Sequence, residues 1–236
     1  MAFCVRRIGG TYNESLVGIP DRIDPFGLVQ LVPAGNFFEW LRSTEASLQA
    51  KTGGADVPCG ACTACCRSSM FVHIGPEEKQ TIGRIPRALL FPAPGWPEGH
   101  LLMGYDDQGR CPMLAGDRCS IYEDRPRICR EYDCRVFAAT GIRVDPQTLA
   151  DIARRVQEWV FDYENEASRQ EHARLEAAAV FLEKNRGLFP PGSLPDQPGQ
   201  LAALAIRIHT MFAGMVSQSG TAPPSSDIVH AIIAQL

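Results

Sequence analysis

The chain has 236 residues, 45% of them hydrophobic and 21% charged, with a formal net charge of −4. That is enough apolar material to bury a real core without disulfides or metal merely to stay compact. The slight acidic excess argues against a nucleic-acid partner, because sequence-independent affinity for phosphate comes from clustered Lys and Arg. No apolar run approaches the roughly 18 residues of a membrane span, so no membrane partner is expected.

The opening stretch MAFCVRRIGGTYNES has two arginines but only a few consecutive apolar residues, far short of a signal-peptide core. A cytoplasmic, reducing setting is the expectation. There, clustered cysteines more often ligate metal than pair.

Residues 1–56 form an N-terminal segment of short apolar stretches broken by Gly and Pro. Asn36 followed by Glu39 has capping-box spacing, and Phe37, Trp40, Leu41 and Leu48 then recur at helical intervals, which predicts one helix. Thr52 to Pro58 is a loop by its chemistry and delivers the chain to the first cysteine.

Residues 57–138 hold eight of the nine cysteines and much of the proline, which predicts loops and short elements folded around a centre. Met70 to Ile74 reads as a short strand. Pro76-Glu77-Glu78 reads as a helix start, with proline in the first turn and acids near the positive end of the dipole. Pro86 to Pro97 reads as an ordered excursion over the core. Leu101 to Leu114 reads as a hairpin turning at Asp106-Asp107-Gln108-Gly109.

Residues 139–236 read as a helical region packing on that unit. Leu149, Ile152, Val156, Trp159, Val160 and Tyr163 share one helical face, as do Leu175, Ala178, Ala179 and Leu182. Leu201, Leu204, Ala205, Ile208, Met211, Phe212, Met215 and Val216 form the cleanest stripe. Ile228, Val229, Ile232, Ile233 and Leu236 form a shorter one, and the Pro/Gly-rich residues 187–200 are a linker. The expected class is therefore mainly α with short irregular β pieces: a compact cysteine-rich metal-binding core followed by a C-terminal helical region.

The first cysteine group is Cys59, Cys62, Cys65 and Cys66, and the second is Cys111, Cys119, Cys129 and Cys134. Thiolates are soft anionic ligands for zinc or iron. Two intervening residues let one tight turn aim two sulfurs at one ion. Cys59, Cys62 and Cys65 reproduce the C-x2-C-x2-C of bacterial cubane clusters, and the cysteine followed by proline is Cys111. A [4Fe-4S] cluster with three local thiolates and one distant one is compatible with this spacing, and so are two Cys4 zinc sites. Cys66 is awkward as a ligand to the same ion as Cys65, since neighbouring side chains point apart. It and Cys134 serve the same centre, a second one, or none.

Disulfides are the competing reading, disfavoured because cytosolic disulfides are usually transient. Cys4 reads as a small buried thiol. His73 and His100 could replace a thiolate, although a lone His is more often structural. Arg118, Arg125, Arg127, Arg130 and Arg135 lie among the later cysteines, where guanidinium groups would stabilise an anionic metal–thiolate centre. For most of them, pairing with Glu123, Asp124, Glu131 and Asp133 is the simpler reading.

The strings Cys59-Gly-Ala-Cys62-Thr-Ala-Cys65-Cys66, Cys111-Pro112-Met-Leu114 and Cys119-Ser-Ile121-Tyr122-Glu123-Asp-Arg125-Pro126-Arg-Ile-Cys129-Arg130 closely resemble the YkgJ-type cysteine cluster family. Its shared unit is a zinc- or iron-chelating CxxCxxCC domain. The resemblance covers about residues 57 to 137, including the proline–acid segment at Pro76-Glu77-Glu78. Glu131-Tyr132-Asp133-Cys134 takes the place of the family's final cysteine or aromatic-proline element. It implies metal chelation by the eight cysteines, and it favours Arg125 and Arg130 as the arginines nearest the bound group.

Some relatives are labelled flagellin lysine N-methylases, which implies a protein-modifying enzyme as an alternative. The sequence has no Gly-rich loop after a strand followed by an acid, and no GxSxG, HExxH or P-loop, so no catalytic residue is assigned. Glu164, Glu166, Glu171 and Glu176 read as a solvated helix face. The leading expectation is an iron–sulfur protein with an electron-transfer or maturation role. A structural-zinc module docking a protein partner, with Leu201 to Val216 as a partner or core face, is the other non-enzymatic reading.

Overall fold

The computed structural model describes residues 31–50, 57, 59–213 and 225–234. Cys4, residues 52–56, Pro58, Met215, Val216 and Leu236, all given roles above, lie outside the described residues. The class is mainly α with short strands, as the sequence predicts. No helix among the described residues is long and apolar enough to cross a membrane.

The chain enters through β1 (Val32–Asn36) and passes directly into α1 (Phe37–Ala50). Asn36 ends the strand and caps the helix: its Oδ1 accepts from the Glu39 amide at 3.0 Å, as the spacing implies. Phe37, Trp40 and Leu41 are the buried residues of α1.

Next comes an antiparallel sheet of β2 (Val72–Ile74), β3 (Leu90–Pro92) and β4 (Leu101–Met103), in the order β2-β4-β3. It covers a small core of Ile74, Ile85, Met103, Met113 and Ile121. The proline-rich excursion thus contributes a strand of its own. The expected Leu101–Leu114 hairpin does not form. Its turn is present, with Gly109 at φ +74° donating to the Asp106 carbonyl at 2.9 Å. The strands, however, pair elsewhere: β4 with β2 and β3, and Leu114 with Cys119. Pro112 has no amide hydrogen to continue a ladder, and the Cys111 amide is taken by the Cys66 carbonyl at 2.7 Å.

The helix expected at Pro76-Glu77-Glu78 begins later, as α2 (Lys79–Arg84). The Glu78 side chain is drawn away from the helix end. Its two oxygens accept from the Gly75 amide at 2.8 Å and the Arg127 amide at 2.6 Å. Beyond the two-residue strands β5 (Leu114–Ala115) and β6 (Arg118–Cys119) come α3 (Arg127–Glu131) and α4 (Arg135–Thr140).

The stripe predicted from Leu149 to Tyr163 is only half a helix. α5 (Ala150–Glu158) stops, and Trp159–Asp162 becomes β7, parallel to β1 with Val32 opposite Trp159 and Asn36 opposite Asp162. Burial alternates along β7, with Trp159 and Phe161 inward and Val160 and Asp162 outward.

Three helices complete the molecule: α6 (Glu166–Lys184), α7 (Pro198–Ile208) and α8 (Ser225–Ile233). The larger core joins them to α1, α4, α5 and β7. Ala178 and Ala179 of α6 and Ala202 and Ala205 of α7 are fully buried, and these small side chains let packed helices approach closely. The Phe37 ring stacks on His172 at 4.4 Å and meets Phe161 edge-on at 5.4 Å. The stripe from Leu201 to Phe212 is core and not an exposed partner face, since Leu201, Leu204, Ala205, Ile208 and Phe212 are all buried. Glu171 is no solvated bystander: it accepts from Nε2 of the buried His209 at 2.8 Å and pairs with Arg174 at 2.7 Å.

Candidate metal centre

The first four thiols sit on two consecutive tight turns. Cys59-Gly60-Ala61-Cys62 closes with the Cys62 amide on the Cys59 carbonyl at 2.8 Å, and Gly60 takes φ +55° to allow it. Cys65-Cys66-Arg67 is a 3-10 turn, pinned by the buried Ser68 hydroxyl donating to the Ala64 carbonyl at 2.7 Å.

The second group arrives from further elements. Cys111 is joined to Cys66 through the backbone bond described above. Cys119 lies on β6 opposite Leu114, whose own amide bonds back to the Cys111 carbonyl at 2.9 Å. Cys129 rides on α3, and the bond from the Arg127 amide to Glu78 fixes where that helix starts. Cys134 occupies the residue before α4 and is buried, with its sulfur accepting from Trp159 Nε1 at 3.1 Å.

All eight line one cavity of about 160 Å³, together with Arg118, Arg125, Tyr132 and Trp159. All eight are free thiols. They surround the space without crowding together: among the described residues, no three Cys, His, Asp or Glu side chains already form a compact ion-binding group.

Burial dominates the electrostatics of these thiols. It pushes Cys66 and Cys129 up to about 12 and Cys134 to about 11, and raises Cys59, Cys65 and Cys111 as well. The thiols also hold one another up. After burial, Cys65 is raised most by Cys134, Cys59 and Cys62, whereas Cys129 is raised by Cys111, Cys66 and Cys119. Thiols that resist ionising alone, set around one cavity, suit a cation that replaces their protons and offsets their mutual repulsion.

Two arginines act in the opposite sense. Arg125, its guanidinium 4.1 Å from the Tyr122 ring centre, lowers both Cys59 and Cys129, though less than burial raises them. Arg155 lowers Cys59 as well. It stacks over the Trp159 ring at 4.6 Å and pairs with Glu158 at 2.9 Å, while its buried Nε finds no hydrogen-bond partner among the described residues. Arg130 is outside the lining and donates to the Arg125 carbonyl at 3.1 Å.

Of the remaining arginines, Arg127 pairs with Glu77 and Glu131, and Arg135 with Asp133 at 2.7 Å. Asp133 also accepts from Trp40 Nε1 at 2.8 Å, tying the end of the cysteine segment to α1. His73 and His100 are not on the cavity wall. They face each other at 2.9 Å with their rings stacked, and the exposed Trp96 ring lies tilted against both.

Sequence reasoning missed Arg155, Trp159 and Glu78 as parts of this site. Arg155 and Trp159 lie beyond the last cysteine, and Glu78, between Cys66 and Cys111, read only as part of a helix start; tertiary packing gives all three their place. The helical stripe that includes Trp159 marked it as buried, without revealing what it faces.

No curated protein and no solved structure gives a significant match to the chain. One family model does match, over residues 58–152, and it is described as "CxxCxxCC: Putative zinc- or iron-chelating domain". That span contains all eight cavity cysteines and ends within α5. Over residues 58–152 the chain is thus similar to that zinc- or iron-chelating domain, and the cysteines that the match spans are those of the cavity.

Proposed function

We propose that the cysteine cavity binds iron as a [4Fe-4S]-type centre and that the chain serves electron transfer or cluster maturation. The observation that carries this reading is the arrangement of eight free thiols around one cavity, from segments spread between Cys59 and Cys134. The C-x2-C-x2-C spacing of Cys59, Cys62 and Cys65 favours iron, since cubane clusters use that turn. When bound, such a group supplies one-electron chemistry. The chain's own residues would hold it with sulfur, donate the Trp159 N–H to Cys134, and set the Arg125 and Arg155 charges beside an electron-rich centre. Each of these would favour the reduced state.

Zinc is the second reading, favoured by the domain description, which names both metals, and by a count of eight thiols that fits two Cys4 sites. Purification without oxygen, followed by iron, zinc and acid-labile sulfide analysis, separates the two. Brown protein with iron and sulfide in equal amounts is expected. Colourless protein with stoichiometric zinc and no sulfide would replace iron with zinc.

A further inference from the structure

We infer that the eight cysteines build two separate four-thiolate centres, Cys59/Cys62/Cys65/Cys134 and Cys66/Cys111/Cys119/Cys129, placed back to back across the Cys65–Cys66 peptide bond. This rests on the metal-binding reading and goes beyond it, because it assigns every ligand and fixes the number of centres. It also replaces the simplest expectation from spacing, in which Cys111 completes the site begun by Cys59, Cys62 and Cys65.

The division starts at the 3-10 turn. Such a turn has three residues per revolution, so the side chains of adjacent Cys65 and Cys66 leave it about 120° apart and meet different parts of the cavity lining. Packing continues the split. Cys134 is part of the larger core and Cys62 and Cys65 pack against it, whereas Cys111 and Cys119 pack against the smaller core under the three-stranded sheet.

Backbone bonds draw the second set together. The Cys111 amide is bound to the Cys66 carbonyl, and the β5–β6 pair folds Cys119 back towards Cys111. Cys129 joins the same side, because α3, which carries it, packs against β2 of the sheet that covers the smaller core.

The two centres have unequal surroundings. The first has the Trp159 N–H on Cys134 and the Arg155 charge near Cys59, and it rests on the larger core. The second is held by short strands, a five-residue helix and a core of five buried side chains. It should lose its metal first.

The test uses the full chain purified without oxygen, as wild type and as Cys134→Ser, Cys119→Ser and the double variant. Metal and sulfide per chain are measured, with circular dichroism to confirm folding. Two zinc ions, or two four-iron clusters, are expected in the wild type, half that content in each single variant, and none in the double. Stepwise chelation of the wild type, read by cysteine alkylation and mass spectrometry, does not depend on the variants folding. It should expose Cys66, Cys111, Cys119 and Cys129 as one set before the other four. One centre in the wild type, or all eight thiols exposed together, would overturn the partition while leaving metal binding intact. Wild-type protein that takes up neither iron nor zinc would overturn both.

Discussion

The Glu78 carboxylate joins two backbone amides 52 residues apart, at Gly75 and Arg127, and so couples the turn before α2 to the start of the helix that carries Cys129. Hydrogen bonds to a charged acceptor are stronger than neutral ones, but this side chain is only partly shielded from water. Glu78→Ala should cost about 1–2 kcal/mol. Denaturant titration would show the loss, and metal analysis should show it concentrated in the centre containing Cys129. At Cys134 the expected effect is electronic. Trp159→Phe keeps the ring but removes the N–H that the sulfur accepts. With an iron–sulfur group bound, the reduction potential should fall at unchanged iron content, because an N–H···S bond favours the more negative, reduced state. A redox titration showing no change would mean that this sulfur does not ligate the cluster. Gly60 is limited by its backbone. A Cβ there meets open space, yet φ is +55°, so Gly60→Ala should cost about 1 kcal/mol of folding stability from conformation alone.

At the scale of elements, α1, β7 and α6 meet around Phe37, which is fully buried between His172 and Phe161. Phe37→Ala should cost about 3–5 kcal/mol, measured by chemical denaturation, since it leaves a cavity where three elements join. His172 makes the same junction sensitive to acid. Its Nε2 donates to the Ala139 carbonyl at 2.9 Å, its Nδ1 accepts from the Tyr163 hydroxyl, and burial lowers its pKa below the usual 6.5. Below about pH 6.5 the unfolded chain therefore takes up a proton that the folded chain resists. Stability should be unaffected by this group above that pH and should fall as the pH drops below it. Thermal melts across pH 5–8 should show that slope, and it should flatten in His172→Asn.

The elements also show which parts of the fold were legible in the sequence. α1 was readable because its cap and its stripe are local, with Asn36 and Glu39 three residues apart. β7 was not, because Val156, Trp159, Val160 and Tyr163 fit a continuing helix equally well. Only pairing with β1, more than 120 residues earlier, decides for a strand. The same division holds in the site. Cysteine spacing announces sulfur ligands from the sequence alone, and Arg125 lies within that segment, while Arg155 and Trp159 come from α5 and β7 through packing that no local pattern records.

For the molecule as a whole, the two cores differ in what they need. Both adjoin cysteines, but the larger one unites most of the helices and should persist without metal, whereas the smaller one has only five buried side chains. Chelation should therefore leave most of the helical circular-dichroism signal in place while amide exchange accelerates across residues 59–130. Loss of all helical signal on chelation would instead make the metal a requirement of the entire fold. The central claim, that the eight cavity thiols hold metal, is tested most directly by native mass spectrometry of the full chain isolated without oxygen. The predicted result is a mass above that of the polypeptide by the mass of the bound iron and sulfide, lost on chelation as the eight thiols become alkylatable. A bare polypeptide mass, with those thiols fully reactive from the outset, would contradict the claim.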